Sequence, residues 1–308
     1  MSYPVSTSIH LYLNLKTINE QIKKHIEAGF KFLDFNFLDW MVDEASPFMN
    51  DGWEDWILSA KKTAEENGAV FNQAHAPVPA FQFSNDYDGL VACCRRAIKA
   101  CDMLGIRQMV YHALVYPKDY GLDMSWLDVN KKFFGEILED AKKYNVGICI
   151  ENMWGTWGLL GREQKTTDDL IELVDSFDDD IVGVCWDTGH GNLTGNGHNY
   201  GRNMNPELLP YGNQYANIVK IGKRLRALHI NDNNGMDDDH IMPGTGTINW
   251  DDVIRALDDI GYEHSFTLEA HRATNGVPEE LKDRAVKLLH DVTVSIANRS
   301  KNKREYNN

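Results

Sequence analysis

Six residues able to hold a proton or a metal ion recur along this chain at nearly even intervals. His75, His112, Glu151, Asp187, His229 and Glu269 are separated by 37, 39, 36, 42 and 40 residues. Each stands at the end of a short apolar run, as do His10 and Asn36 before them. One polar residue at the end of a strand usually serves a turn. A whole set at the repeat length of one strand plus one helix places its members on the same rim of a closed barrel. The clearest member is Val182–Gly195, V-G-V-C-W-D-T-G-H-G-N-L-T-G, in which Asp187 and then His190 leave a buried strand together. Glu151, Asp187, His229 and Glu269 supply three carboxylates and one imidazole. That mixture suits one divalent ion (Mn²⁺, Mg²⁺, Co²⁺ or Zn²⁺) with positions left for substrate oxygens. Three carboxylates in one site would repel one another without a cation among them.

The elements that must position these residues alternate between short apolar strands and amphipathic helices. Strands are expected at Ser8–Leu13, Phe30–Phe37, Val70–Ala76, Gln108–Leu114, Val146–Glu151, the run from Val182, Leu225–Ile230 and His264–Glu269. Helices are expected at Thr17–Ala28, Trp53–Asn67, Asp88–Leu104, Ser125–Tyr144, Thr167–Phe177, Gln214–Gly222, from Asn249 or Asp251 to Ile260, and Pro278–Ala297. Eight such units predict an α/β protein, a single-domain (β/α)8 TIM barrel over residues 1–299, with a polar tail at 300–308. A doubly wound sheet is disfavoured, because no G-x-G-x-x-G follows the first strand. The Gly/Asn-rich segment Gly195–Asn213 falls on the active-site side of such a barrel and suits a lid or a subunit contact, so a homo-oligomer stays open.

Composition narrows the partners. The 308 residues carry 46 acidic and 31 basic side chains, a formal charge of −15, which opposes docking on a phosphate backbone, so no nucleic acid is expected. Five cysteines, none in a C-x-x-C pair, read as reduced buried thiols. No stretch reaches the roughly 20 apolar residues of a membrane span, and the N-terminus lacks a basic head with an apolar run. A cytoplasmic protein without a membrane partner is expected.

The motifs I-E-N at Glu151, W-D-T-G-H at 186–190, L-H-I-N-D-N from Leu228, D-x-H-I-M-P-G-T-G-T-I-N-W from Asp238 and L-E-A-H at Glu269 carry a resemblance. Through them the chain resembles the xylose-isomerase-like TIM-barrel superfamily along nearly its whole length. Within it the chain is most similar to sugar and sugar-phosphate isomerases and epimerases. The resemblance implies a carbohydrate substrate and one metal on Glu151, Asp187, His229 and Glu269. It also implies that Glu151 and Glu269 face each other as acid and base, and that His190 touches a substrate oxygen. His75, His112 and His240 are expected to line the cavity, and Trp154 offers a ring on which a sugar face can stack. One departure is Gly235, where ketose 3-epimerases carry an arginine.

The same superfamily contains AP endonucleases with three zinc ions. In that pattern His75, His112, His190, Asp238 and His240 are further ligands. A lyase acting on an inosose or a 3-oxo-C-glycoside, and a non-catalytic sugar-binding barrel, complete the alternatives. The acidic run Asp237–Asp239 and the net charge weigh against the nuclease.

Overall fold

The computed structural model describes residues 3–15, 17–40, 46–78, 86–114, 123–153, 166–193 and 213–302. Eight parallel strands run in the order β7-β6-β5-β4-β3-β2-β1-β8. They are β1 Val5–Ser8, β2 Phe32–Asn36, β3 Val70–His75, β4 Gln108–Tyr111, β5 Gly147–Glu151, β6 Val182–Asp187, β7 Leu225–His229 and β8 Phe266–Leu268. Closure comes just past β7, where Ile230 donates to the Thr267 carbonyl at 2.7 Å and the Glu269 amide donates to the Ile230 carbonyl at 3.0 Å. The helices α1 Ile18–Glu27, α2 Trp53–Glu66, α3 Tyr87–Leu104, α4 Trp126–Tyr144, α5 Thr167–Asp175, α6 Gln214–Ile221, α7 Trp250–Ile260 and α8 Lys282–Ala297 alternate with the strands. The fold is the (β/α)8 barrel expected from the spacing.

Local chemistry sets the boundaries. Thr17 and Glu20 form a reciprocal capping box at the start of α1, satisfying two otherwise unpaired amides. Side chains of Ser125, Thr166 and Asn249 cap α4, α5 and α7, each accepting from the amide three residues further on. Along each strand successive side chains alternate faces. Ile148, Ile150, Val184, Trp186 and Leu228 therefore join the large core around the barrel, whereas Val110, Cys149, Cys185 and Ala227 form a small buried cluster of their own. Two residues beyond each member of that cluster stand His112, Glu151, Asp187 and His229. Period-two alternation thus lays a polar layer directly over a small apolar plug. All five cysteines are free and buried, in line with the reduced state expected of them.

The first strand departs from expectation. It covers Val5–Ser8, and the apolar residues Ile9, Leu11 and Tyr12 bury themselves in the following turn instead. The S-T-S run belongs to the strand because β1 closes the barrel between β2 and β8, and Ser6 finds a partner in Asn72. His10 consequently sits two residues past the strand end. β4 stops at Tyr111 and β8 at Leu268, so His112 and Glu269 are each the first residue beyond their strand. Ser300 and Lys301, at the start of the polar tail, are held by the Asp258 carboxylate at 2.5 and 2.8 Å. No helix among the described residues is long and apolar enough to cross a membrane.

The packing of α1 has a measurable consequence. His25 is fully buried, gives Nδ1–H to the Gln21 carbonyl at 2.8 Å, and meets Tyr12 edge-on. Burial pushes its pKa down to about 4. Between pH 6.5 and 4 the unfolded chain binds a proton here that the folded chain refuses. Stability present above pH 6.5 is therefore lost as pH falls through this window, by about 3 kcal/mol in all. Denaturant titrations of wild type and His25→Gln from pH 7 to 4.5 should give a shallower acid slope for the variant, and parallel slopes would contradict this assignment.

Candidate metal and proton-transfer site

The strand ends converge on His229. Its Nδ1 lies 3.2 Å from Glu151 Oε1 and 3.2 Å from Glu269 Oε2. Glu151, Asp187, His229 and Glu269 offer ligand atoms that all fall within 4.8 Å of one another. A second group, His75, His112 and Glu151, and a third, His190, Asp238 and His240, meet the same criterion. His112 Nε2 is 3.2 Å from Glu151 Oε2, and His190 Nδ1 is 3.2 Å from Glu151 Oε1, so Glu151 lies at the centre of the constellation. Every site residue singled out from the sequence except Trp154 is brought together here. Trp154, with the segment from Gly195 to Gly212, lies outside the described residues.

Backbone carbonyls orient the imidazoles. His75 gives Nδ1–H to Ala76 at 2.8 Å, His190 to Asn152 at 2.8 Å and His240 to Glu269 at 2.7 Å. A carbonyl can only accept, so each ring keeps Nε2 as the lone-pair nitrogen or second donor toward the cluster. Asp187 is fixed by the Asn231 side chain at 2.7 Å and by the His190 amide at 2.6 Å. The carboxylate of Asp232 accepts from Gly244, Trp250, Ile248 and Asn233, anchoring the loop that carries Asp238 and His240. At Gly235 the chain turns with φ +80, a left-handed conformation that costs glycine nothing. The neighbouring Asn234 side chain accepts from Met236 and Asp237 at 2.7 and 3.1 Å, which completes the turn ahead of Asp238. Where ketose 3-epimerases carry an arginine, this chain has a turn that leads to a carboxylate.

The field is strongly cation-attracting. Burial alone would depress His229, but Glu269 and Glu151 hold it well above the usual imidazole range. His190 is raised likewise against burial by Asp187 and Asp238, and His240 is raised to about 9, chiefly by Asp238. Burial works against Glu151 and Glu269 too, yet the imidazoles, His229 foremost, keep both well below the carboxylate range. Asp187 goes the other way, lifted to about 6 by burial and only partly relieved by His190. A divalent ion would satisfy the same field with more charge at one point. His229 Nδ1 and Asp238 Oδ1 are buried and make no hydrogen bond despite their charged neighbours. An imidazole nitrogen 3.2 Å from two carboxylate oxygens, bonded to neither, has the spacing of neighbouring ligands around one ion. The donor set fits a divalent metal.

Several contributors escaped sequence reasoning. Asn152, Asn231 and Asp232 orient the site residues and are completely buried. Their signal was present in I-E-N and N-D-N, the residues directly after Glu151 and Ile230. His271 stacks on His240 with ring centroids 4.1 Å apart. Asn36, grouped with the rim residues by its strand-end position, instead accepts from the Leu38 amide at 3.0 Å. Lys220 and Arg224 pair with Asp168 and Asp175 at 2.6 and 2.5 Å, as solvated helix-end charges do.

A family model described as Xylose isomerase-like TIM barrel matches residues 22–291. The chain belongs to the xylose isomerase-like TIM barrel family. Among curated sequences it is 28% identical over 275 residues to an uncharacterized protein of Methanocaldococcus jannaschii, covering 87% of this chain and 83% of that one. It is 25% identical over 227 residues to a probable endonuclease 4 of Methanoculleus marisnigri, covering 71% and 74%. Among solved structures, a D-tagatose 3-epimerase-like protein is 24% identical with a TM-score of 0.68, covering 96% of this chain and 98% of its own, a likeness of fold.

Proposed function

We propose that the protein is a divalent-metal-dependent sugar or sugar-phosphate isomerase or epimerase that moves a proton on a carbon beside a carbonyl. The observation that carries this reading is the placement of Glu151 and Glu269 on either side of His229, at the ends of β5 and β8. Glu151, Asp187, His229 and Glu269 would hold the ion. When bound, the metal supplies Lewis acidity toward neighbouring hydroxyl and carbonyl oxygens, which acidifies the adjacent C–H. One glutamate takes the proton, giving an enediolate, and the other returns one. His190, locked by the Asn152 carbonyl, would touch a substrate oxygen, and His75, His112 and His240 would line the remaining walls. Trp154 is assigned a stacking role on the sugar face. The D-tagatose 3-epimerase-like neighbour supports the substrate class. The same proton abstraction would serve a lyase if the substrate carried a β-leaving group.

A second reading has its own support. The groups His75–His112–Glu151 and His190–Asp238–His240 offer two further sites for ions, and the chain has an endonuclease 4 relative. The formal charge of −15 argues against a duplex as substrate. The two readings separate cleanly. Metal-loaded protein, given ketoses, ketose phosphates and an inosose beside a duplex with one abasic site, should convert a sugar and leave the duplex intact. Chelator-sensitive incision with every sugar untouched would overturn the proposal in favour of the nuclease.

A further inference from the structure

The polar wall of the site continues past the metal cluster to a His–Asp pair that the mechanism above does not use. His10 lies in the turn after β1, and Asp39 in the single 3-10 turn Phe37–Trp40 that follows β2. Both therefore stand on the rim that carries the cluster. His10 Nδ1 meets Asp39 Oδ2 at 2.8 Å, with the aspartate side chain 9% exposed and the histidine 26%. The rings connect this pair to the centre: His10 packs on His271 at 5.1 Å between centroids, and His271 stacks on His240 at 4.1 Å. Among the described residues nothing pairs with His10 Nε2.

We propose that His10, fixed by Asp39, binds a hydroxyl of the substrate at the end remote from the reacting carbon. This rests on the sugar reading above and adds the second end of the binding site. An aspartate that engages Nδ1 settles which nitrogen faces outward and removes ring rotation as a cost of binding. The outward Nε2 accepts a hydrogen bond when the ring is neutral and donates one when it is protonated. A hydroxyl is the sugar group that matches both states, since it can donate and accept. A methyl group would leave the outward Nε2 without a partner once the site is filled, which costs binding. His10 and Asp39 belong to none of the four groups of candidate metal ligands among the described residues, so the pair can be removed without touching them.

The test pairs two variants with two sugars, D-tagatose and its 6-deoxy analogue, on metal-loaded protein. Wild type should lose about tenfold to a hundredfold in kcat/KM when the 6-hydroxyl is absent, the range for one hydrogen bond to a partly buried polar group. His10→Ala should show that same loss on D-tagatose and then be indifferent to removal of the hydroxyl. His10→Asn, which keeps a polar group of similar reach, should restore part of the discrimination. Metal content and Tm should match wild type in both. Equal discrimination between the two sugars by wild type and His10→Ala overturns the proposal. If wild type turns over neither sugar, the reaction assigned above fails on this substrate class, and calorimetric binding of the same two sugars decides the inference. A preference for the hydroxyl that His10→Ala abolishes then sustains it. Binding that ignores either the hydroxyl or the variant, or no binding at all, overturns it.

Discussion

Replacing either Glu151 or Glu269 with glutamine should lower turnover about 10²–10⁴-fold, the range for loss of a general acid or base. The change keeps the shape of the side chain and one oxygen able to coordinate. It removes the group that carries the proton. The two glutamates occupy unlike settings: Glu151 is enclosed by His112, His190 and His229, whereas Glu269 is 14% exposed at the rim beside His229 and His240. Both are held ionised, His229 and the neighbouring imidazoles outweighing the effect of burial. Either can therefore begin as the base, and the variants tell them apart. A variant lacking only the acid still exchanges the substrate C–H with solvent, while one lacking the base does neither. Near-normal turnover in both, with metal content unchanged, would move the proton transfer to His112 or His190.

Stripping the divalent ion should abolish turnover and lower Tm by several degrees, and re-adding it should restore both. Glu151, Asp187 and Glu269 are packed around one imidazole with little water to screen them. Without an ion, protons on His229, His190 and His240 must balance that charge. A ligand present at a hundred times its Kd stabilises the folded state by about 2.7 kcal/mol. In a domain of this size that corresponds to roughly 2–4 °C per kcal/mol. His229→Ala should behave as the stripped protein does and fail to recover with added metal. Elemental analysis should give one tightly held ion per chain, and three stoichiometric zinc ions would shift support toward the nuclease reading. Unchanged Tm and turnover after chelation, with metal verified absent, would remove the ion from the account.

Much of this arrangement was legible because barrel geometry turns sequence spacing into position. Steps of 36 to 42 residues put the ends of β3 to β8 on one rim whatever the loops do. Period-two alternation could be read as well, in Cys149–Glu151 and Cys185–Asp187. The first strand was misplaced because Ile9, Leu11 and Leu13 alternate like a strand, yet burial in a turn also satisfies Ile9 and Leu11, while Leu13 is left exposed. Only the register of β1 against β2 and β8 decides between these, and register is a tertiary fact. The orienting asparagines were visible as letters but not as a network. Asn152 and Asn231 act on Asp187 and His190 from two different strand ends. His10 and Asp39 are 29 residues apart, and nothing in their local sequence marks them as a pair.

The most direct test follows the proton itself. Metal-loaded wild type is incubated in D₂O with the ketose, ketose-phosphate and inosose panel, and NMR follows the C–H beside each carbonyl. Deuterium should enter at one carbon of at least one sugar, at a rate that chelation abolishes and that Glu151→Gln or Glu269→Gln reduces. Retention of protium at every such position, by protein shown to carry its metal, would contradict the assignment of this site to proton transfer.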